Sequence, residues 1–161
     1  MMTPSRASAE VAGLFAPMLQ EAGFVRSGLN FYRSTDESIL LVSIQTGTHW
    51  LGPYVNLGVY YHKFGETMER PGIVDCHVQT RLTSVVPNPL REGELLQMSN
   101  DISLDTRRAE LLGMMRNYGL SWLEGMEVFE SARTFLQGST KAAHVAPIAR
   151  EGLTPPLKDK K

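Results

Sequence analysis

The chain has 161 residues, 42% of them apolar and 20% charged, with a formal net charge of −1. That length suits one domain with a single core. The scattered charge argues against nucleic acid or an acidic membrane as the main partner. One cysteine, Cys76, excludes an intrachain disulfide.

The N-terminus lacks the order of a signal peptide, because Glu10 interrupts before any long apolar run. No window approaches the ~18 consecutive apolar residues of a membrane-spanning helix. The expectation is a cytoplasmic protein with one domain over residues 3–138 and a mobile, lysine- and proline-containing tail over 139–161.

In chain order, Thr3 is placed to cap a first helix and Pro4 suits its first position. Val11, Leu14, Phe15 and Met18 form its apolar stripe, and Gly23 ends it. The period then changes to two, and residues 24–46 read as a β-hairpin about the "TDES" turn. Its first strand places Val25, Leu29 and Phe31 opposite Arg26, Asn30 and Tyr32; its second places Leu40, Val42 and Ile44 opposite Ile39, Leu41, Ser43 and Gln45.

"GTHWLGP" is a connection. In "YVNLGVYYH", Val55, Leu57, Val59 and Tyr61 alternate with Tyr54, Asn56, Gly58, Tyr60 and His62. A fourth strand, "DCHVQTRL", sets Cys76, Val78, Thr80 and Leu82 against His77, Gln79 and Arg81. The proline-rich "VVPNPLREGE" reads as irregular, and residues 90–103 are the least readable part of the domain. A helix carrying Leu111, Leu112 and Met115 and another carrying Trp122, Met126, Phe129 and Leu136 complete the domain.

Helix, four strands, then two helices argue for an α+β fold. The sheet would be a mostly antiparallel four-stranded meander, with the C-terminal helix pair packed on one face.

No nucleophile elbow, phosphate loop or dinucleotide fingerprint occurs. The histidines lack the spacing of a zinc site, so neither a metal nor a cofactor is expected. His49 falls in a loop and His144 in the tail. Cys76, pointing inward, reads as a core residue rather than a nucleophile.

Strand parity gathers Arg26, Asn30, Tyr32, Ser43, Gln45, Asn56, Tyr60, His62, His77, Gln79 and Arg81 on the face away from the aliphatic residues. Arginine, tyrosine and amide side chains of this kind suit partner recognition. A merely wetted sheet face alternates in the same way.

The segments "LQEAGFVRSGLNFYRS", "VSIQTG", "YVNLGVY", "CHVQTRL" and "YGLSWLE" resemble, in order and spacing, a widespread bacterial family of uncharacterised domains. The likeness covers about residues 10–137. It implies an α+β fold and no particular activity, and it singles out Arg33, Gln45, Asn56 and Arg81 as matches to the family's polar pattern.

The reading favoured by the sequence is a non-enzymatic protein-binding module, an adaptor or a toxin-neutralising partner. Its binding residues would be Arg26, Gln45, Asn56, Tyr60, His62, His77 and Arg81. A second reading is a small-molecule-binding or hydrolytic protein with a pocket lined by His62, His77 and Arg81. A third is homodimerisation through an exposed strand edge.

Overall fold

The computed structural model describes residues 2–47, 52–64, 68–137, 143–146 and 149. The fold is α+β, with an N-terminal helix, an antiparallel sheet and helices from the C-terminal half. Helix α1 (Pro4–Glu21) starts where the Thr3 hydroxyl accepts from the Arg6 amide at 3.2 Å. It stops before Gly23, whose φ of +93° turns the chain towards the sheet. Val11, Leu14, Phe15 and Met18 are buried, as the helical period requires.

The sheet has six strands rather than four. They are β1 (Val25–Ser27), β2 (Asn30–Ser34), β3 (Ser38–Gln45), β4 (Tyr54–Tyr61), β5 (Val78–Arg81) and β6 (His144–Val145), paired antiparallel in sequential order. The added hairpin comes from Gly28, at φ +63°, which lets the chain reverse between Ser27 and Asn30.

That turn resets the alternation. Arg26 pairs with Phe31 on the core side, its guanidinium 5.7 Å from the Phe31 ring centroid. Val25 pairs with Tyr32 and is 62% exposed. One uninterrupted strand would have put both residues on the opposite faces. At the other edge, His144 and Val145, assigned by composition to the tail, pair with Gln79 and Val78. Of the remaining tail, most lies outside the described residues.

The principal core lies between one sheet face and the helices. Phe31, Leu40, Val42, Ile44, Val55, Leu57, Val59 and Tyr61 meet Val11, Phe15 and Leu19 of α1 and Leu111, Met115, Trp122 and Leu123 of the later helices. Those helices are α2 (Leu82–Val85), α3 (Pro89–Leu96), α4 (Leu104–Met114), α5 (Leu120–Met126) and α6 (Phe129–Gln137), with a π-helical turn over Met115–Gly119 joining α4 to α5.

The region expected to be irregular therefore contains α3. Asn88 caps it by accepting from the Arg91 amide at 3.1 Å, and Pro89 opens it. Buried Arg107 then holds the following loop by donating to the carbonyls of Leu95, Gln97 and Ile102 and to Asn100 Oδ1. The carbonyl end of α3 offsets part of the cost of burying this cation.

A corner between sheet and helices is fixed by polar bonds. Tyr61 Oη donates to the Met126 carbonyl at 2.6 Å, Ser38 Oγ to the Glu127 carbonyl at 2.7 Å, and the Phe129 amide to Glu37 Oε2 at 3.2 Å. Arg33 bridges the same corner, bonding the Ala22 carbonyl and Glu127 and lying 3.6 Å from Glu124.

The opposite sheet face is not uniformly wet. Ile39, Leu41, Tyr60 and Cys76 form a second small apolar cluster, flanked by Tyr32 and Ile73. Cys76 joins it because β5 starts only at Val78; Cys76 follows a single 3-10 turn at Ile73–Asp75. It is thus on the outward side and not beside Val78 in the principal core, as continuous alternation had implied. Gly58 makes room for it: a Cβ there would lie 2.6 Å from Cys76 Sγ and 2.8 Å from Ile73 Cδ1.

Substituting Gly58→Ala is expected to destabilise the protein by about 1–3 kcal/mol through overpacking. Urea unfolding of the single variant beside Gly58→Ala/Cys76→Ala checks this, the second change recovering part of the loss.

Candidate functional site

The outward face is divided by the 3-10 turn crossing Gly58. On one side lies the apolar cluster; on the other lies a polar half built by register. Asn30 pairs with Ser43, Ser43 with Asn56, and Asn56 with Arg81, so four polar side chains form one row across β2 to β5. Gln45 and Tyr54 make the next pair outward. Asn56 is only 5% exposed, and its Nδ2 donates to Gln45 Oε1 at 2.9 Å. This fixes the orientation of both amides.

Arg81 is exposed, and its guanidinium carbon sits 4.0 Å from the Tyr54 ring centroid. That stacking holds the planar fork by its face, so that the N–H groups at its edge point away from the ring. No carboxylate of the described residues lies within 4.0 Å of it. An open cleft of about 560 Å³ runs past Gln45, Asn56, Gln79, Arg81, Ser84 and His144, with Ile73 and Val74 on its rim. Val74 is 84% exposed.

Four of the seven sequence-nominated binding residues lie elsewhere. Arg26 is at the sheet edge on the core side, where its Nε donates to the Gly28 carbonyl. Tyr60 is buried in the apolar cluster. His62 is not a strand residue; it opens a 3-10 turn after β4 and lines a separate cavity of about 220 Å³ with Asp36, Glu37, Tyr61, Lys63 and Phe129. Its Nδ1 is buried without a partner among the described residues, and a cavity of that size admits water to meet it.

His77 is buried between the rings of Tyr60, Tyr61 and Phe64, with centroids at 4.7, 6.2 and 5.2 Å. Its Nδ1 accepts the Tyr61 backbone N–H at 2.9 Å, and the His77 backbone N–H donates to the Val59 carbonyl at 2.9 Å. His77 is therefore a fastener for the end of β4. Arg81 lies four residues further along, about 13 Å at strand rise. His62, His77 and Arg81 do not converge: the cleft that takes in Arg81 takes in neither histidine.

Burial pushes the Cys76 thiol up to about 12, with the Asp75 charge adding to the rise. That suits an inert packing residue. His49 lies outside the described residues. Among the described residues, no group of three His, Cys, Asp or Glu side chains could hold a metal. No helix described is long and apolar enough to cross a membrane.

Several residues in and behind the cleft escaped the sequence reading, Ser84, Ile73 and Val74 among them. His144 enters the cleft on β6, a strand of two residues with too little sequence to show a period. Glu92, on α3, is 2% exposed and accepts from the Thr83 hydroxyl. Its carboxyl is raised by burial, opposed by the Thr83 bond and by the positive charge of Arg81. The Asn88-Pro89 start of α3 was the signal that would have placed it.

Residues 15–125 match the profile of a domain of unknown function, DUF4304. The chain belongs to the DUF4304 family. The match takes in the row from Asn30 to Arg81 and the Arg33–Glu124 contact, and it ends before α6 and β6. No curated protein and no solved structure matches the chain.

The environment of His77 sets a pH dependence. Burial lowers its pKa, since the charged imidazole would lose water and could no longer accept the Tyr61 N–H. The unfolded chain takes up that proton near pH 6.5. The stability due to neutral His77 is thus complete above about pH 6.5 and is lost as pH falls below it. His77→Asn, whose amide oxygen can replace Nδ1 as acceptor, is expected to be less stable at pH 7.5 through lost ring packing. The gap to wild type should narrow towards pH 5 in urea titrations.

Proposed function

We propose that this DUF4304 domain is a non-enzymatic binding module that recognises another protein with the polar half of its sheet face. The partner would present a carboxylate to Arg81. The observation that carries the reading is the state of that arginine: exposed, stacked on Tyr54, and with no carboxylate of the described residues within 4.0 Å. A pre-positioned guanidinium loses little freedom when a carboxylate docks on it in the bidentate manner.

The surroundings support a macromolecular partner. Gln45 and Asn56 offer oriented amide groups, and exposed Val74 offers apolar contact at the rim. Small-molecule sites are usually enclosed and predominantly apolar. This cleft is open rather than enclosed, and beside its apolar wall of Ile73, Val74 and Ala143 it carries amides, hydroxyls, an imidazole and the arginine. Arginine and tyrosine are also the side chains that most often anchor protein interfaces. A cytoplasmic location and independence from any cofactor accompany this reading.

Affinity capture from native host lysate, comparing wild type with Gln45→Ala/Arg81→Ala, tests it. A stoichiometric protein retained only by wild type is expected. With that partner in hand, Arg81→Ala alone should weaken binding by about 2 kcal/mol or more, roughly 30-fold in Kd. Equal capture by both would move the site off this face, and the absence of any enriched protein would refute the binding-module reading.

A further inference from the structure

A second surface lies on the far side of the molecule. Between α1 and α4 runs a groove of about 500 Å³, walled by Leu14 and Pro17 on one helix and Leu104 and Leu112 on the other. Its rims carry opposite charges: Glu10 on α1 and Arg108 on α4. Among the described residues each has only a weak local partner, Arg6 at 3.4 Å and Asp105 at 4.0 Å, both at solvent-exposed positions. They form no salt bridge with each other.

Leu104 stands at the groove's edge with 54% of its surface exposed. Ser103 already caps α4 by accepting from the Thr106 amide, so helix initiation does not require an apolar residue at Leu104. Gly13, exposed on the α1 wall, has nothing within 4 Å of where its side chain would be. A backbone could approach closely there.

We propose that a second copy of this chain occupies this groove as a two-fold symmetric dimer. The groove is self-complementary in charge. A two-fold axis through it exchanges the walls, so that Glu10 faces Arg108 of the partner subunit, and the reciprocal pair forms at the same time. Leu104 then enters the partner's apolar groove. A foreign helix would need its own matching pair of charges, whereas this chain already carries both.

Sedimentation velocity of the full chain across the micromolar range is the test, with circular dichroism confirming that each variant is folded. Wild type is expected to show a concentration-dependent monomer–dimer equilibrium. Leu104→Glu should raise the dimer dissociation constant at least ~10-fold, about 1.4 kcal/mol. Glu10→Arg and Arg108→Glu should each weaken dimerisation, and the double charge swap should restore it. A wild type monomeric at every concentration overturns the proposal and leaves the groove to a different occupant. A dimer indifferent to Leu104→Glu and to the charge swaps overturns it equally.

Discussion

Much of the sheet's outward face depends on the missing side chain at Gly58. Because no Cβ stands there, the 3-10 turn at Ile73–Asp75 lies against β4 and buries Cys76 over it. The next residue, His77, is then set to bond both sides of the strand end, taking the Tyr61 N–H and giving its own to Val59. Those two bonds fix where β5 begins, with Val78 opposite Val59. Three residues later, the same register brings Arg81 opposite Asn56. The polar row is thus a consequence of a steric vacancy two pairs away. A one-residue slip would send Arg81 to the core side and Thr80 outwards.

The structured arginines show why Arg81 stands apart. Arg107 is enclosed by carbonyls and serves as the closing bolt of the loop after α3. Arg91 forms a forked pair with Glu110 that ties α3 to α4. Arg33 joins the end of α1 to Glu124 and Glu127. Each donates hydrogen bonds within the fold, and removing one would leave acceptors or a carboxylate unpaired. Among the described residues, Arg81 meets an aromatic face and, at longer range, the buried Glu92. A side chain held in position with no described carboxylate in contact is one whose pairing capacity suits a ligand.

The sequence carried the architecture in its longer periodic segments and lost it where segments were short. Helix α1 and the long strands β3 and β4 announce themselves through repeated alternation, and their core faces follow directly from it. The two-residue turn at Gly28 was invisible to the same reasoning, since alternation read across it is plausible on either side. Arg26 and Val25 consequently changed faces. Helix α3 was obscured by prolines, although Asn88 and Pro89 are themselves a helix start.

At the site, parity found Gln45, Asn56, Gln79 and Arg81 because they lie on regular strands. It misplaced His62 and Cys76 because their strands had already ended or not yet begun. It could not find the bond from His77 to Tyr61, which joins a side chain to a backbone group across strands. Whether an outward-facing side chain is wet or covered depends on what crosses the sheet, and the crossing here is made by a loop without periodicity.

The two surfaces lie on opposite layers of the fold. The helices cover the aliphatic side of the sheet, so the α1–α4 groove faces away from the Arg81 cleft. Pairing two copies through the helices therefore leaves both clefts uncovered and related by the same two-fold axis. A partner that is itself dimeric, or that repeats an acidic segment, would then meet two sites on one particle. The second contact becomes intramolecular, and avidity rises without any new interaction at either cleft, provided the partner can span the distance between them. An exposed arginine is a modest anchor when used singly; used twice in a fixed geometry, it selects for partners whose charges share that symmetry.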